Sequence, residues 1–149
     1  MNFRLATLDD CDWIYRIRNS WEIRRQCIDM SPIVYEAHQK WFSEALTRAD
    51  MKIWIYVNEK NNIGMLRLDM KEQFLLISIF VDPSCNHRGH GSQMLSHLNE
   101  LVKAEFPEFN KVVAVIKKEN RASVRLFEKA SFSKVKEDET FSEYIYRIG

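Results

Sequence analysis

The chain has 149 residues, of which four are glycine and three are proline. Average composition would supply roughly ten glycines and seven prolines at this length, so collagen-like, linker-rich and low-complexity proteins are excluded. The net charge is only +1, which gives no general attraction to nucleic acid or to acidic membranes. No apolar run approaches a membrane span, and no apolar leader opens the chain. We therefore expect a single cytoplasmic domain over residues 1–149, with neither nucleic-acid nor membrane partners.

Hydrophobic periodicity predicts the secondary structure in chain order. Apolar residues at helical spacing indicate four helices, at about residues 10–19, 34–48, 91–105 and 120–130. Alternating or β-branched runs indicate seven strands, at residues 2–6, 52–58, 63–70, 74–82, 112–116, 132–136 and 141–148. The expected fold is α/β, with one mixed, mostly antiparallel central sheet of about seven strands flanked by about four helices.

Two of the four glycines lie close together in the segment 82–92 (DPSCNHRGHGS), between a predicted strand and a predicted helix. Without β-carbons, Gly89 and Gly91 let the backbone approach a ligand, and the free N–H groups at a helix start attract anions. His87 and Arg88 add positive charge to the loop. The pattern predicts a pyrophosphate site, although a plain strand–helix turn fits the same residues.

A second segment, 120–132 (NRASVRLFEKASF), follows a strand that the sequence predicts to be buried. Together the two segments resemble the GNAT acetyltransferase family, whose members carry a [Q/R]-x-x-G-x-[G/A] loop and then N-x-x-[A/S]-x-x-x-[Y/F]-x-x-x-G-F. The predicted element order also resembles the family fold along nearly the whole chain. The matching residues are Gly89, Gly91, Asn120, Ser123, Phe127 and Phe132.

Three positions depart from the family pattern. Asn86 stands where Gln or Arg is usual, and Ser131 stands where Gly is usual. Phe127 stands where many members have a tyrosine that protonates the departing thiolate. Because phenylalanine has no proton to donate, residue 127 is excluded as a general acid.

The resemblance implies that the protein binds acetyl-CoA as a co-substrate. Strand backbone would pair with the pantetheine arm, loop N–H groups would hold the pyrophosphate, and Asn120 would hydrogen-bond the pantetheine. Phe127 would pack near the sulfur, although a plain core position is equally consistent with it. No metal is expected, because the cysteines and histidines show no zinc spacing. The implied cofactor-binding residues are Ile79, Phe80, Val81, His87, Arg88, Gly89, His90, Gly91, Ser92, Asn120 and Phe127.

The N-terminal half resembles a GNAT branch that acetylates nucleotide-linked amino sugars of the pseudaminic and legionaminic acid type. The residues that carry this resemblance are Arg18, Asn19, Arg24 and Trp41, with His38 between them. The four residues Arg18, Asn19, Arg24 and Trp41 would bind the substrate, whose diphosphate suits arginine side chains. Solvated surface arginines and a core tryptophan are the alternative interpretation.

Three side chains are candidates for catalysis. Ser78 would position a water or the amine, His38 would accept a proton, and Tyr144 would act as an acid. An ordinary histidine on a helix surface is the alternative for His38.

The function predicted first is transfer of acetyl from acetyl-CoA to the amine of a nucleotide-linked amino sugar, by direct attack in a ternary complex. A protein or peptide N-acetyltransferase of the ribosomal-protein type is an alternative, although the arginine-rich stretch 16–25 disfavours the acidic groove it needs. A non-catalytic acyl-CoA-binding protein is another. The expected state is a monomer or a homodimer.

Overall fold

The computed structural model describes residues 2–27, 29–85 and 88–149. One sheet contains seven strands, which are β1 (Asn2–Leu5), β2 (Met51–Asn58), β3 (Asn61–Met70), β4 (Leu75–Val81), β5 (Lys111–Lys117), β6 (Ser133–Glu137) and β7 (Phe141–Arg147). The α-helices of the described ranges are α1 (Cys11–Arg18), α2 (Trp21–Arg24), α3 (Tyr35–Ala45), α4 (His90–Ser96), α5 (Leu98–Glu105) and α6 (Arg121–Lys129). The predicted fold class is therefore confirmed.

The helices differ from the sequence prediction at two places. The helix expected over residues 91–105 is divided at His97, whose N–H bonds to the carbonyl of Met94 and so tightens the last turn of α4. After Ser20, where no helix is predicted, the chain forms the short helix α2, because burying Ile23 holds one turn against the rest of the protein.

The strand order is β1-β2-β3-β4-β5-β7-β6, and every neighbouring pair except β4 and β5 is antiparallel. The parallel pair β4–β5 has only two residue pairs in register, Leu75 with Val112 and Leu76 with Val113. Beyond these pairs the two strands separate toward their carboxyl ends. The sheet therefore contains a cleft in its middle rather than at an edge.

Two cores cover the two faces of the sheet. Alternate strand side chains point to opposite faces, so Leu66 and Leu68 pack under α4–α6 while Met65 packs under α1 and α3. Both cores are nearly inaccessible to solvent, and they hold the strands on either side of the cleft in place.

The end of α6 is closed by a complete Schellman motif. The N–H of Phe132 bonds to the carbonyl of Phe127, the N–H of Ser131 bonds to that of Glu128, and the two phenyl rings lie 4.9 Å apart. The residue in the left-handed conformation is Ser131, with φ of 73°. An L-residue with a β-carbon is strained there, which explains why the related motif has glycine.

We expect Ser131→Gly to raise the free energy of unfolding by up to about 1 kcal/mol, because glycine adopts the left-handed conformation without strain. Urea unfolding followed by circular dichroism measures the change. Ser131→Ala is the matched control, since it removes the hydroxyl but keeps the β-carbon, and it should not stabilise the protein. Equal stabilisation by both variants would show that the hydroxyl, not the backbone, is responsible.

Candidate active site

A cavity of about 530 Å³ lies where β4 and β5 separate. Residues 76–80 of β4 form one wall and residues 114–117 of β5 form the other. Val115, on the interior strand β5, is 43% exposed and lines the cavity. The facing edges of the separated strands have no strand partner among the described residues, so their backbone groups are free to pair with an extended ligand. Ile79 and Phe80 lie on this edge, and Val81 follows them at the end of β4.

The start of α6 closes one side of the cavity. Asn120 is the N-cap of α6, and its Oδ1 accepts a hydrogen bond of 3.2 Å from the N–H of Ser123. This bond orients the Asn120 amide at the cavity, where the resemblance predicted a contact with pantetheine. Phe127 also lines the cavity, with only 4% of its surface exposed. The core and cofactor-contact interpretations of Phe127 are therefore compatible.

The glycine loop leads into α4. Gly89 is its N-cap, with a φ of 77° that favours glycine, and a β-carbon added there would meet no atom within 4 Å among the described residues beyond its chain neighbours. Gly91 is glycine for another reason, since an added β-carbon would lie 3.0 Å from Cδ2 of Leu126. Gly91 thus permits close packing of α4 on α6.

The loop also contains a buried polar atom that suits a ligand. His90 is 8% exposed, and its Nδ1 has no hydrogen-bond partner among the described residues. A buried nitrogen of this kind is costly without a partner, so the loop fits the phosphates of a cofactor. Arg88 is exposed and Ser92 is half-buried beside it. His87 and Asn86, which the sequence analysis singled out, lie outside the described residues.

The charged side chains that line the cavity form a mostly cationic wall. Among the described lining residues, the cationic side chains are Arg18, Arg24, Arg67 and Lys117, and the one carboxylate is Asp29. The side chain of Asp29 accepts a 2.9 Å hydrogen bond from the N–H of Ser31, and this bond holds its pKa below the ordinary value. The wall is therefore suited to an anionic ligand.

Trp41 supports two of these cations. The guanidinium carbon of Arg67 lies 4.9 Å from the centroid of the Trp41 ring, and that of Arg18 lies 5.6 Å from it. Arg67 is also paired with Asp69 at 2.8 Å. Burial, together with the charge of Arg67, lowers the pKa of Arg18, which nevertheless stays charged as arginines do. Trp41 itself is absent from the described lining, so it positions the arginines rather than facing the cavity.

Asn19 and Arg24 both contact the segment 29–33 beside the cavity. The Oδ1 of Asn19 accepts a 2.8 Å bond from the N–H of Ile33. The Nε of Arg24 donates to the carbonyl of Met30 at 3.2 Å, and its guanidinium lies 5.5 Å from the ring centroid of Trp21. Both side chains therefore fasten the segment 29–33 to the first helices. Arg24 still lines the cavity, whereas Asn19 is not part of the described lining.

The three catalytic candidates are not brought together. Ser78 is exposed, lines the cavity and faces Arg67 across β3 and β4. His38 is 3% exposed rather than on a helix surface, and its Nε2 lies 3.3 Å from the carbonyl of Cys11. Burial lowers the pKa of His38 despite that carbonyl. Tyr144 is 2% exposed in the core under α4–α6, and neither it nor His38 belongs to the described lining.

Two of the cationic lining residues escaped the sequence analysis. Arg67 interrupts the apolar strand β3, and Lys117 ends the apolar strand β5. A charged residue inside a largely apolar strand can indicate a functional site. A single such residue, however, has the same pattern as a solvent-exposed residue of an ordinary edge strand. Their shared cavity becomes visible only from the tertiary arrangement.

Comparison with known proteins identifies the family. Residues 1–133 match the model of the acetyltransferase (GNAT) domain. The chain belongs to the GNAT acetyltransferase family. This GNAT domain is therefore an acetyl-CoA-dependent N-acetyltransferase. No curated protein matches the sequence significantly.

Solved structures agree with the fold. Spermidine N-acetyltransferase from Vibrio cholerae, in complex with CoA and spermine, aligns with TM-score 0.88 and 13% identity, over 99% of this chain and 95% of that one. A domain from Methanocaldococcus jannaschii aligns with TM-score 0.83 and 21% identity, over 98% and 97%. Aminoglycoside acetyltransferase AAC(6')-Ib, in complex with coenzyme A and kanamycin, aligns with TM-score 0.80 and 18% identity, over 98% and 94%. At these identities the likeness establishes the fold and leaves the acceptor open.

Two absences hold for the described residues of the GNAT domain. None of the helices found there has the length and apolar character needed to cross a bilayer. No cluster of three or more histidine, cysteine, aspartate or glutamate side chains in the same ranges could hold a metal ion.

We expect Gly89→Val to abolish acetyl-CoA binding, because a β-branched residue cannot keep the φ of 77° that turns the loop N–H groups toward a ligand. The fold should persist, since the added β-carbon has no atom of the described residues within 4 Å beyond its chain neighbours. Calorimetry with acetyl-CoA and urea unfolding measure the two effects. Gly91→Ala is the contrast, because its contact with Leu126 should lower stability more than affinity. Unchanged affinity in Gly89→Val would refute the role of the turn.

Proposed function

We propose that the protein transfers acetyl from acetyl-CoA to the amine of a nucleotide-linked amino sugar, by direct attack in a ternary complex. The observation that carries the proposal is the cationic wall, whose described residues include four cationic side chains, of which Arg67 is paired with Asp69, and one carboxylate. An acceptor with phosphate groups neutralises such a wall. Charge-assisted hydrogen bonds from arginine to phosphate then fix its position.

The same wall disfavours a polycationic acceptor. Spermidine and kanamycin, named with the structural neighbours, carry several ammonium groups. Each added positive charge would be repelled by Arg18 and Lys117 in a site partly shielded from water. Likeness of fold is therefore consistent with a different acceptor, since function resides in the site.

The cofactor contacts are proposed on the residues already described. Acetyl-CoA supplies a thioester whose acetyl group the amine accepts. The free edge formed by Ile79, Phe80 and Val81 would pair with the pantetheine, with Asn120 beside it and Phe127 against its sulfur end. Residues 88–92, from Arg88 to Ser92 and including His90, would hold the pyrophosphate. His87 belongs to the same loop, and its contact with the pyrophosphate stays a prediction.

The acceptor contacts form the second half of the proposal. Arg18 would bind an anionic group of the acceptor directly, while Trp41 holds the guanidinium in place. Arg24 and Asn19 would act by holding the segment 29–33 as a wall of the site. Ser78 would position the amine, because its side chain is exposed at the point where β4 leaves β5.

The attacking amine must lose a proton, and the described lining offers only a weak base. The pKa of Asp29 is held below its ordinary value, so Asp29 is a poor acceptor for an ammonium proton. His38 and Tyr144 lie outside the described lining. The cations of the wall instead lower the pKa of the bound amine, because like charges disfavour the ammonium form. The proton then leaves to water.

A panel of acceptors tests the substrate class. CoA release is measured with UDP-linked amino sugars, spermidine, an aminoglycoside and a peptide with a free N-terminus. The proposal expects turnover of an amino-sugar nucleotide with kcat/KM well above that for the polyamine and the peptide. Turnover of spermidine or the peptide alone would overturn it.

We expect Arg18→Met to raise the KM for the anionic acceptor by about 10-fold to 100-fold, because the variant loses one charge-assisted hydrogen bond to the acceptor. The KM for acetyl-CoA should stay unchanged, because Arg18 lies on the acceptor wall. Steady-state kinetics with each substrate varied separates the two. Arg48→Met is the control, since Arg48 is exposed and paired with Asp50, away from the cavity. An equal change in both KM values would contradict the assignment.

The pH dependence tests the route of the proton. We expect kcat to rise with pH as the bound ammonium deprotonates, and to level off below the pKa of the free amine. Asp29→Asn should move this plateau to still lower pH, because removing the carboxylate disfavours the ammonium further. A general base contributes about 100-fold or more, so a loss of that size in Asp29→Asn would identify Asp29 as the base.

A further inference from the structure

Lys117 is a buried charge whose surroundings do not neutralise it. Only 6% of its surface is exposed, and its Nζ donates a 2.7 Å hydrogen bond to the carbonyl of Arg25. Among the residues that the structure describes, it takes part in no ion pair. An ammonium group has three donors and is costly to bury without an anion. The position therefore calls for a negatively charged partner from outside the chain.

A second cavity of about 450 Å³ adjoins Lys117. Its described lining contains three cationic residues, Arg25, Lys117 and Arg121, and one carboxylate residue, Glu119. Arg25, Arg121 and Glu119 are exposed, so their side chains are free to adjust to a ligand. This cavity has an excess of positive charge and a buried ammonium at its base.

The two cavities share part of their walls. Gln26, Lys117 and Asn120 line both of them. Lys117 lies at the carboxyl end of β5, on the same strand as Val115, which is exposed to the cleft. A ligand that reacts in the cleft can therefore extend past Lys117 into the second cavity.

We infer that Lys117, Arg25 and Arg121 form a subsite for a phosphate group of the acceptor. The inference rests on the proposed function, because it places the diphosphate of a nucleotide-linked acceptor in the second cavity. Arg18 then serves the part of the acceptor that stays in the cleft. The cofactor also carries phosphates, so the test must separate the two sources.

The test measures binding of inorganic pyrophosphate and of UDP by calorimetry to protein saturated with CoA. Saturation occupies the cofactor's own phosphate contacts. We expect both probes to bind the wild-type complex, and Lys117→Met to weaken them at least 10-fold. Methionine keeps the length and apolar stem of lysine, so the buried space stays filled.

Lys118→Met is the matched control for Lys117→Met. Lys118 is the next residue, is exposed, and bonds to the carbonyl of Asp138 and to Glu137 instead of lining either cavity. Its substitution should leave the affinity for both probes unchanged. An equal loss in both variants would overturn the inference, because the effect would then be one of general charge.

Arg121→Met keeps the inference testable if Lys117→Met fails to fold. Arg121 is exposed in the first turn of α6, so its removal should leave the fold intact and weaken pyrophosphate several-fold. Arg125→Met, one turn further along the same helix and on neither described lining, should have no effect. Equal affinities in Arg121→Met and wild type would count against the subsite.

Two outcomes distinguish this inference from the proposed function. Loss of all pyrophosphate binding on CoA saturation would show that the anion site belongs to the cofactor, and would overturn the subsite even if amino-sugar nucleotides are substrates. Retained binding that depends on Lys117 would support the subsite, even if the acceptor panel finds that a different phosphorylated amine is acetylated.

Discussion

The incomplete pairing of two parallel strands is the constraint on which the site depends. Strands β4 and β5 share two residue pairs, whereas β4 pairs with β3 and β5 pairs with β7 over seven residues each. The outer partners hold the two strands rigidly apart where they no longer pair. Backbone groups facing the gap are costly to leave without partners, so the cleft is predisposed to take an extended ligand.

The two ends of the cleft have different electrostatic character. At one end, a left-handed turn at Gly89 and the start of α4 present backbone donors and the buried Nδ1 of His90. At the other end, side-chain cations line the wall, and Trp41 and the segment 29–33 keep them in position. The net charge of the chain is only +1, so this positive region is local. The proposed function places an anionic acceptor against this positive region.

Short-range features of the fold were accessible from sequence because they depend on neighbours along the chain. The glycine at position 89 indicates a left-handed turn, Asn120 indicates a helix start, and hydrophobic alternation indicates the strands. Burial of single residues was less accessible. His38 has the sequence context of an exposed helical histidine, yet α3 turns it onto α1, where its Nε2 lies 3.3 Å from the carbonyl of Cys11. Tyr144 likewise lies on the core face of β7, because the register of β7 against β5 decides which of its side chains face the core.

By itself the sequence determined the family motifs, the order of the strands along the chain and the residues available for an anion-binding turn. Only the tertiary structure decided which charges meet. Arg67, Lys117 and Arg18 come from β3, β5 and α1, and they converge because β4 leaves β5 and opens a space between these elements. Charges that are far apart in sequence share a cavity only through strand register and helix packing, which arise from the whole core rather than from any one segment.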